Sequence, residues 1–201
     1  MISAVTVCVE YADFLRHTLP RLRAQVSRVI IVTVAGDESE DVAKDNDCEV
    51  VISRRVYENG RFCLGKARNE GFEALCNPGW VLSIDADIVV PDMSSLPLEI
   101  GCLHGMQRRQ ATNSQDIDGD WSSLPMVADR RTHHGYFQLF HAADKRLQVP
   151  WFPENSKSSS HDDRTFRFRW PKSLLRVLPV ECLHLGQTHI DWLGRVSQEF
   201  K

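Results

Sequence analysis

Residues 80–91, WVLSIDADIVVP, form an apolar run broken once, by two carboxylates a single residue apart. A Val/Leu/Ile run without polar alternation is what a strand covered on both faces requires, and both faces are covered where helices flank a largely parallel sheet. The run predicts a buried strand that ends in Asp85 and Asp87. Ligands of open α/β sheets bind beyond the carboxyl ends of the strands, so the two acids stand where chemistry is expected. In extended chain, residues two apart project to the same side, and Ala86 between them adds no bulk. Two anions this close repel unless a cation sits between them. Alone, an Asp-x-Asp is satisfied just as well by a solvated turn, and the surrounding chain decides.

Ahead of that run, apolar stretches alternate with helical periods. Residues 2–9 (ISAVTVCV), 29–34 (VIIVTV) and 49–53 (EVVIS) are β-branched and read as strands. Between them, Phe14, Leu15, Leu19, Leu22 and Val26 recur at helical spacing, with Pro20 expected to kink or split the helix, and residues 39–47 offer a short acidic helix. This β-α-β-α-β series is that of a parallel nucleotide-binding half. Residues 57–60 read as loop, 64–76 as a helix stopped by Asn77-Pro78-Gly79, and 91–132 as an irregular excursion. Further on come a strand at 135–141, an aromatic loop at 151–153, a helix capped within 158–163 that carries Phe166 and Trp170, and a last strand at 174–179.

Composition bounds the partners. With 201 residues and 42% hydrophobic content, the chain is long enough for one good core, and one domain over 1–201 is expected. A net charge of -3 gives no general attraction to nucleic acid, although Arg54-Arg55, Arg108-Arg109 and Arg130-Arg131 are local basic pairs. No apolar run reaches the roughly 20 residues of a membrane span, and no secretory leader opens the chain, so a cytoplasmic protein is expected. The six cysteines form no C-x-x-C pair, which argues for reduced, buried thiols and against a zinc ribbon.

Two local patterns mislead. Gly60 to Lys66 fits the phosphate-cradling G-x-x-x-x-G-K, but Ala67 stands where a Ser or Thr must hold Mg²⁺. Asp116-Ile-Asp118-Gly-Asp120 opens like a calcium loop, but Trp121 and Val127 occupy the positions that need Gly and Glu.

Taken in order, five matches resemble the GT-A class of nucleotide-sugar glycosyltransferases, of the family 2 type. The first strand ends in a polar pocket at Val9, Glu10 and Tyr11, and the second leads to Asp37. Lys66-Ala-Arg68-Asn69-Glu-Gly71 resembles the family's A-R-N helix start, and Ser83-Ile-Asp85-Ala86-Asp87 its strand-terminal Asp-x-Asp. Gly135-Tyr-Phe-Gln-Leu-Phe140 is similar to the strand beside the acceptor, with Tyr136 in place of a second Gly. Asp162-Asp163-Arg-Thr-Phe-Arg-Phe-Arg169 is similar to the E-D-x-D-L-x-x-R helix, with Asp162 where Glu is commoner and Thr165 in place of the second acid; His184 resembles the late metal-site histidine.

The resemblance implies an α/β GT-A fold, Rossmann-like, with a mixed, mostly parallel sheet flanked by helices. Residues 1–90 would bind the nucleotide, and 91–201 would hold the acceptor and complete the metal site. It implies a nucleotide-sugar donor, UDP-linked by preference, bound through Val9, Glu10, Tyr11, Asp37, Lys66, Arg68, Asn69, Asp85, Ala86 and Asp87. A nucleoside diphosphate leaves poorly while its charge is unscreened, so Mn²⁺ or Mg²⁺ is expected. Asp87 is the first choice of ligand, with Asp85 on the ribose or as a further ligand, and His184, or alternatively His189, completing the set. Asp163 matches the base that takes the acceptor proton, with Asp162 orienting the acceptor or capping the helix. An inverting displacement is implied by the same resemblance.

Trp151, Phe152 and Trp170 are candidates for stacking on a sugar or base, and Phe166 and Phe168 for the core. The acceptor is expected to be a glycan or small molecule, or a hydroxylated nucleobase in DNA as in some small phage-type transferases. DNA would call on Arg54, Arg55, Arg108, Arg109, Arg130, Arg131, Arg164, Arg167, Arg169 and Lys172, if these converge on one face. A noncatalytic nucleotide-sugar or carbohydrate-binding module and a P-loop NTPase are the competing readings.

Overall fold

Alternation of side-chain direction explains how the sheet is covered. In the computed structural model, which describes residues 1–76, 79–111, 113–127, 134–154 and 159–186, strand β1 (Ile2–Val7) sends Ala4 to one face and Val5 and Val7 to the other. Strand β2 (Arg28–Thr33) divides Val29 and Ile31 from Ile30 and Val32 in the same way. The first face receives helix α1 (Ala12–Gln25) through Phe14, Leu15 and Leu19, and helix α2 (Ser39–Asp45) through Val42 and Ala43. Full burial of each large apolar side chain is worth about 1.5–3 kcal/mol.

Strand β3 (Glu49–Ile52) completes the parallel run β3-β2-β1, and a hairpin of β4 (Tyr57–Glu58) and β5 (Arg61–Phe62) follows. Its turn is Asn59-Gly60, both with positive φ (51° and 73°), the Asn-Gly chemistry of tight hairpins. Residues 57–60 were expected as plain loop, and the turn signal was present in the sequence. Helix α3 (Leu64–Ala74) covers the second face with Ala67 and Phe72, and strand β6 (Trp80–Ile84) pairs parallel to β1.

Beyond β6 the sheet becomes mixed. Strand β7 (Ile88–Val89), strand β8 (Leu103–Gln110), strand β9 (Phe137–His141), helix α4 (Ser159–Arg167) and strand β10 (Leu175–His184) complete the order β3-β2-β1-β6-β9-β8-β10-β7. β9 runs antiparallel to β6 and β8, β10 is parallel to β8, and β7 is antiparallel to β10. The α/β class and GT-A-like, Rossmann-like architecture expected from the sequence hold.

Several local expectations change. Pro20 sits within an uninterrupted α1 on its exposed side; the amide it lacks would have met the carbonyl of the exposed Arg16, which water can serve. The 80–91 run is not one strand. It stops at Ile84, turns through Asp85-Ala86-Asp87 with Ile88 N–H donating to the Asp85 carbonyl (3.3 Å), and returns as β7. The turn's other carbonyls are satisfied from outside β6: Thr18 Oγ1 donates to Ala86 (2.8 Å) and Leu185 N–H to Asp87 (2.8 Å).

The 91–132 excursion contains β8, in the interior of the sheet. Its sequence, LHGMQRRQ, carries no strand signal, and packing decides: Leu103 to Met106 are buried, and His104 lies against the Leu139 carbonyl (3.2 Å). The last strand runs on to His184, past a register irregularity between Val177 and Glu181. All six cysteines are free, with Cys8, Cys102 and Cys182 buried; burial pushes the Cys8 thiol up to about 12.

Gly71 sets how closely α3 approaches the sheet. A Cβ there would lie 2.5 Å from Val5 Cγ1 and 2.7 Å from Val32 Cγ2. Gly71→Val is expected to lower the unfolding free energy by about 1–3 kcal/mol through overpacking. A urea midpoint equal to wild type would show that this contact does not hold the helix in place.

Candidate active site

The carboxyl ends of β1 and β2 open into a cavity of about 480 Å³ lined by Val9, Glu10, Gly36, Asp37, Glu38 and Tyr57 among others. Both Asp37 oxygens accept backbone N–H groups, from Glu10 at 2.7 Å and from Ser39 at 2.8 Å. Asp37 thus joins the end of β1 to the start of α2 and fixes the rim. It also helps hold Glu10 at φ 61°, a left-handed backbone that non-glycine residues rarely adopt. Tyr11 lies buried, stacked on Phe14 at 5.2 Å, and so supports the wall from behind.

At the start of α3 the first free amide is already taken: Gly65 N–H donates to Asp162 Oδ2 at 3.0 Å. A side chain on Gly65 would run into the Pro153 carbonyl and Asp162. A phosphate that needs this helix terminus finds a carboxylate there, which argues against the P-loop reading. Lys66 points back to the hairpin and pairs with Glu58 at 2.6 Å.

Two residues on, Arg68 is 2% exposed and bonds Asp85 at 2.9 Å through one guanidinium nitrogen and Asp163 through the other. Its charge lies 4.9 Å from the Phe152 ring centre. Asn69 holds the aromatic loop in both senses, accepting from Phe152 N–H (2.8 Å) and donating to the Phe152 carbonyl (3.0 Å) and to Glu154 (3.0 Å). The A-R-N segment therefore draws the end of β6, the loop at 151–154 and α4 to one point.

Two carboxylates share one buried guanidinium, and Asp162 adds a third negative charge. Burial pushes Asp163 up to about 7; Arg68 pulls the other way, and Asp85 and Asp162 push further up. Asp85 also rises, by burial first, with Arg68 opposing and Asp87 adding; water reaching its 39% open side chain tempers that rise. The Arg68 cation is held above its usual range by Asp163 and Asp85, against the cost of burial, and stays charged.

Asp87 faces a different partner. Its Oδ2 lies 3.4 Å from His184 Nε2, and His184 Nδ1 lies 2.9 Å from Gln110 Oε1. The Gln110 amide cannot be turned over, because its NH₂ group meets the carbonyls of Ala111 (3.0 Å), His184 (3.1 Å) and Gly186. Gln110 Oε1 therefore accepts and His184 Nδ1 carries a proton, which leaves Nε2 as the ring nitrogen turned toward Asp87. A carboxylate and an imidazole nitrogen at this spacing, with the second ring nitrogen tied down, fit a divalent cation. Among the described residues no third His, Cys, Asp or Glu joins them, so the remaining ligands would be substrate or water oxygens.

The other candidates divide. Phe152 stacks on Phe166 at 4.1 Å, and Trp170 is buried with Nε1 on Asp144 (3.0 Å), so both are core residues and not platforms for a sugar. Phe168, expected in the core, is 67% exposed. Arg55 pairs with Glu154, and Arg109 with Glu181 and two carbonyls, which spends part of the basic set on internal contacts. Arg130, Arg131 and His189 lie outside the described residues. Gln110 was missed: within LHGMQRRQ nothing marks it until the β8–β10 register sets it opposite His184.

The strand order and the position of the cleft define a GT-A-like, Rossmann-like α/β fold. No protein-family model matches the sequence, and no curated protein does. Solved structures match over nearly the whole chain. Glucosyl-3-phosphoglycerate synthase from Mycobacterium tuberculosis, in complex with Mg²⁺ and uridine diphosphate, is similar with a TM-score of 0.54 and 13% identity, over 96% of this chain and 72% of that one. A nucleotidyl transferase from Methanothermobacter gives 0.53 and 15% identity over 90% and 87%. An active-site variant of LgtC gives 0.50 and 15% identity over 87% and 72%. At such identities the likeness establishes the fold.

The Gln110 contact generates a spectroscopic expectation. Nitrogen-15 NMR should find the neutral His184 ring protonated at Nδ1, and Gln110→Leu should release that tautomer while weakening Mn²⁺ binding by about 10–100-fold. A wild-type ring protonated at Nε2 would refute the assignment.

Proposed function

We propose that this protein is a metal-dependent glycosyltransferase that moves a sugar from a nucleoside-diphosphate sugar, UDP-linked by preference, to an acceptor hydroxyl. The observation that carries this reading is the convergence of Asp85 and Asp163 on Arg68, beside the Asp87–His184 pair, at the carboxyl ends of the strands. The nucleoside would occupy the cavity between Glu10, Asp37 and Tyr57, which leads the diphosphate toward the Asp85–Asp87 turn. Asp87 Oδ2 and His184 Nε2 would hold Mn²⁺ or Mg²⁺ there, with Asp85 nearer the ribose. When bound, such a cation screens the diphosphate and makes it a better leaving group.

Asp163 would act as the base. It takes the proton of the acceptor hydroxyl as that oxygen attacks the anomeric carbon and the bond to the diphosphate breaks, which gives inversion in a single displacement. A carboxyl raised to about 7 is matched to this task near neutral pH. Arg68 holds it in place, and Asp162 keeps the end of α3 against α4. The acceptor is a glycan, a small molecule or a hydroxylated nucleobase. No helix among the described residues is long and apolar enough to cross a membrane.

The deciding experiment is thermal unfolding with a panel of nucleotide sugars, with and without Mn²⁺ or Mg²⁺. One donor should raise the Tm only with metal, and Asp87→Ala should abolish that gain while the circular dichroism spectrum stays that of wild type. A panel that leaves the Tm unchanged throughout would sink the proposal; binding without turnover would instead leave a noncatalytic binding module.

A pH series tests the base. The active form of Asp163 is the anion, so kcat/KM should fall as pH drops below about 7. Because its folded value lies above the ordinary 3.8, Asp163 contributes stability that is complete at low pH and is lost as pH rises from there through about 7. Asp163→Asn should remove both turnover and that downward slope.

A further inference from the structure

Arg108 is a cation in the cleft for which no described residue supplies a paired anion. Its neighbour in sequence, Arg109, is tied to Glu181 and to the carbonyls of Ser122 and Leu124. Arg108 Nε is buried with no hydrogen-bond partner, and no carboxylate among the described residues pairs with its guanidinium. Its one defined side-chain contact is with Tyr136, whose ring centre lies 4.5 Å from the guanidinium carbon. Tyr136 is itself tethered, its hydroxyl donating to the Met106 carbonyl. The charge is thus supported by the ring while its buried Nε donor goes unused, and a desolvated donor left unmet is costly.

Strand register places this group in the cleft. Leu82, Leu139 and His104 share one row across β6, β9 and β8, and β8 runs in the same direction as β6. Four residues beyond His104, Arg108 reaches the level of Ala86, in the Asp85–Asp87 turn. Two strand spacings of about 4.8 Å separate β8 from β6, and the Arg108 charge is felt at Asp85. On the other side Arg108 is registered with Cys182 and Gln110 with His184, so Arg108 shares its strand face with the residue that holds the metal-site histidine.

The cleft already contains Asp85, Asp87, Asp162 and Asp163, yet Arg108 pairs with none of them. We propose that Arg108 is an anion-binding residue of the cleft and takes a phosphate or carboxylate oxygen of a bound substrate. This rests on the reading of the cleft as a nucleotide-sugar site. Its planar fork suits such an oxyanion, and the tethered Tyr136 ring lies against the guanidinium that would meet it. The donor's diphosphate and an anionic group on the acceptor share this chemistry. A neutral substrate would leave the buried Arg108 Nε unmet.

Calorimetry on wild type, Arg108→Gln and Arg108→Lys tests this, with Mg²⁺ present throughout. The probes are uridine and guanosine diphosphates, their nucleosides, inorganic pyrophosphate and, at saturating nucleoside diphosphate, inorganic phosphate. Arg108→Gln should lose about tenfold or more for the anion it serves and nothing for the nucleosides. Arg108→Lys should fall between, because it keeps the charge without the fork. A loss confined to the diphosphates and pyrophosphate assigns the donor as the source; a loss confined to phosphate at saturating nucleotide assigns the acceptor. Affinities within twofold of wild type for every anion, with an unchanged unfolding midpoint, would overturn the assignment and leave the transferase reading standing. If wild type binds neither nucleoside diphosphate, the transferase reading falls, and the pyrophosphate arm, with inorganic phosphate titrated alone, still decides for Arg108.

Discussion

One buried guanidinium organises this molecule. Arg68 is reached by Asp85 from the end of β6 and by Asp163 from α4, so three elements distant in sequence meet at a single charge. Breaking a buried pair from one side costs about 3–5 kcal/mol, because the charge left behind has nowhere to go. The arrangement is accordingly fenced. Gly71 lets α3 lie close against Val5 and Val32, Gly65 leaves room for Asp162, and Asn69 fastens the loop whose Phe152 covers the guanidinium. Each of these contacts serves the position of Arg68 before it serves anything else.

The same economy of charge separates two side-chain pairings that lie side by side. Asp85 and Asp163 compete for one cation, which keeps part of the negative charge available for a proton. Asp87, at the far end of the bend, makes no bond to Arg68 and faces the His184 imidazole. The bend is what makes the difference. In a straight strand both acids would project to the same side and share Arg68.

The parallel half of the fold was legible in the sequence because its strands are apolar on both faces and its helices have clean periods. The order of the motifs singled out Asp85, Asp87, Asp163 and His184 as candidates, and the fold joins Asp85 to Asp163 through Arg68 and sets Asp87 against His184. What escaped lies where tertiary context outweighs local pattern. β8 contributes four polar residues to its last four positions and becomes a strand only because β9 and β10 flank it. Gln110 and Arg108 inherit their place in the cleft from that strand, so no reading of LHGMQRRQ alone could have set them there. Phe152 and Trp170 look like sugar platforms on composition, and their burial among Phe140 and Phe166 is a matter of packing. The Asp85–Asp87 bend shows the limit of periodicity from the other side: an apolar run continues across it, but the chain direction does not.

The short return strand β7 gives the site a dependence on folding order. Among the described strands β7 pairs with β10 alone, and Leu185 N–H meets the Asp87 carbonyl at that junction. The acid on the turn and the imidazole that faces it are therefore brought together by the joining of segments far apart in the chain, a contact whose loop-closure entropy is among the largest the fold incurs. The parallel run β3-β2-β1-β6 can form without it. Assembly of the Asp87–His184 pair then reports that the last described strand has docked, whereas the cavity at the ends of β1 and β2 is lined without any residue of that strand.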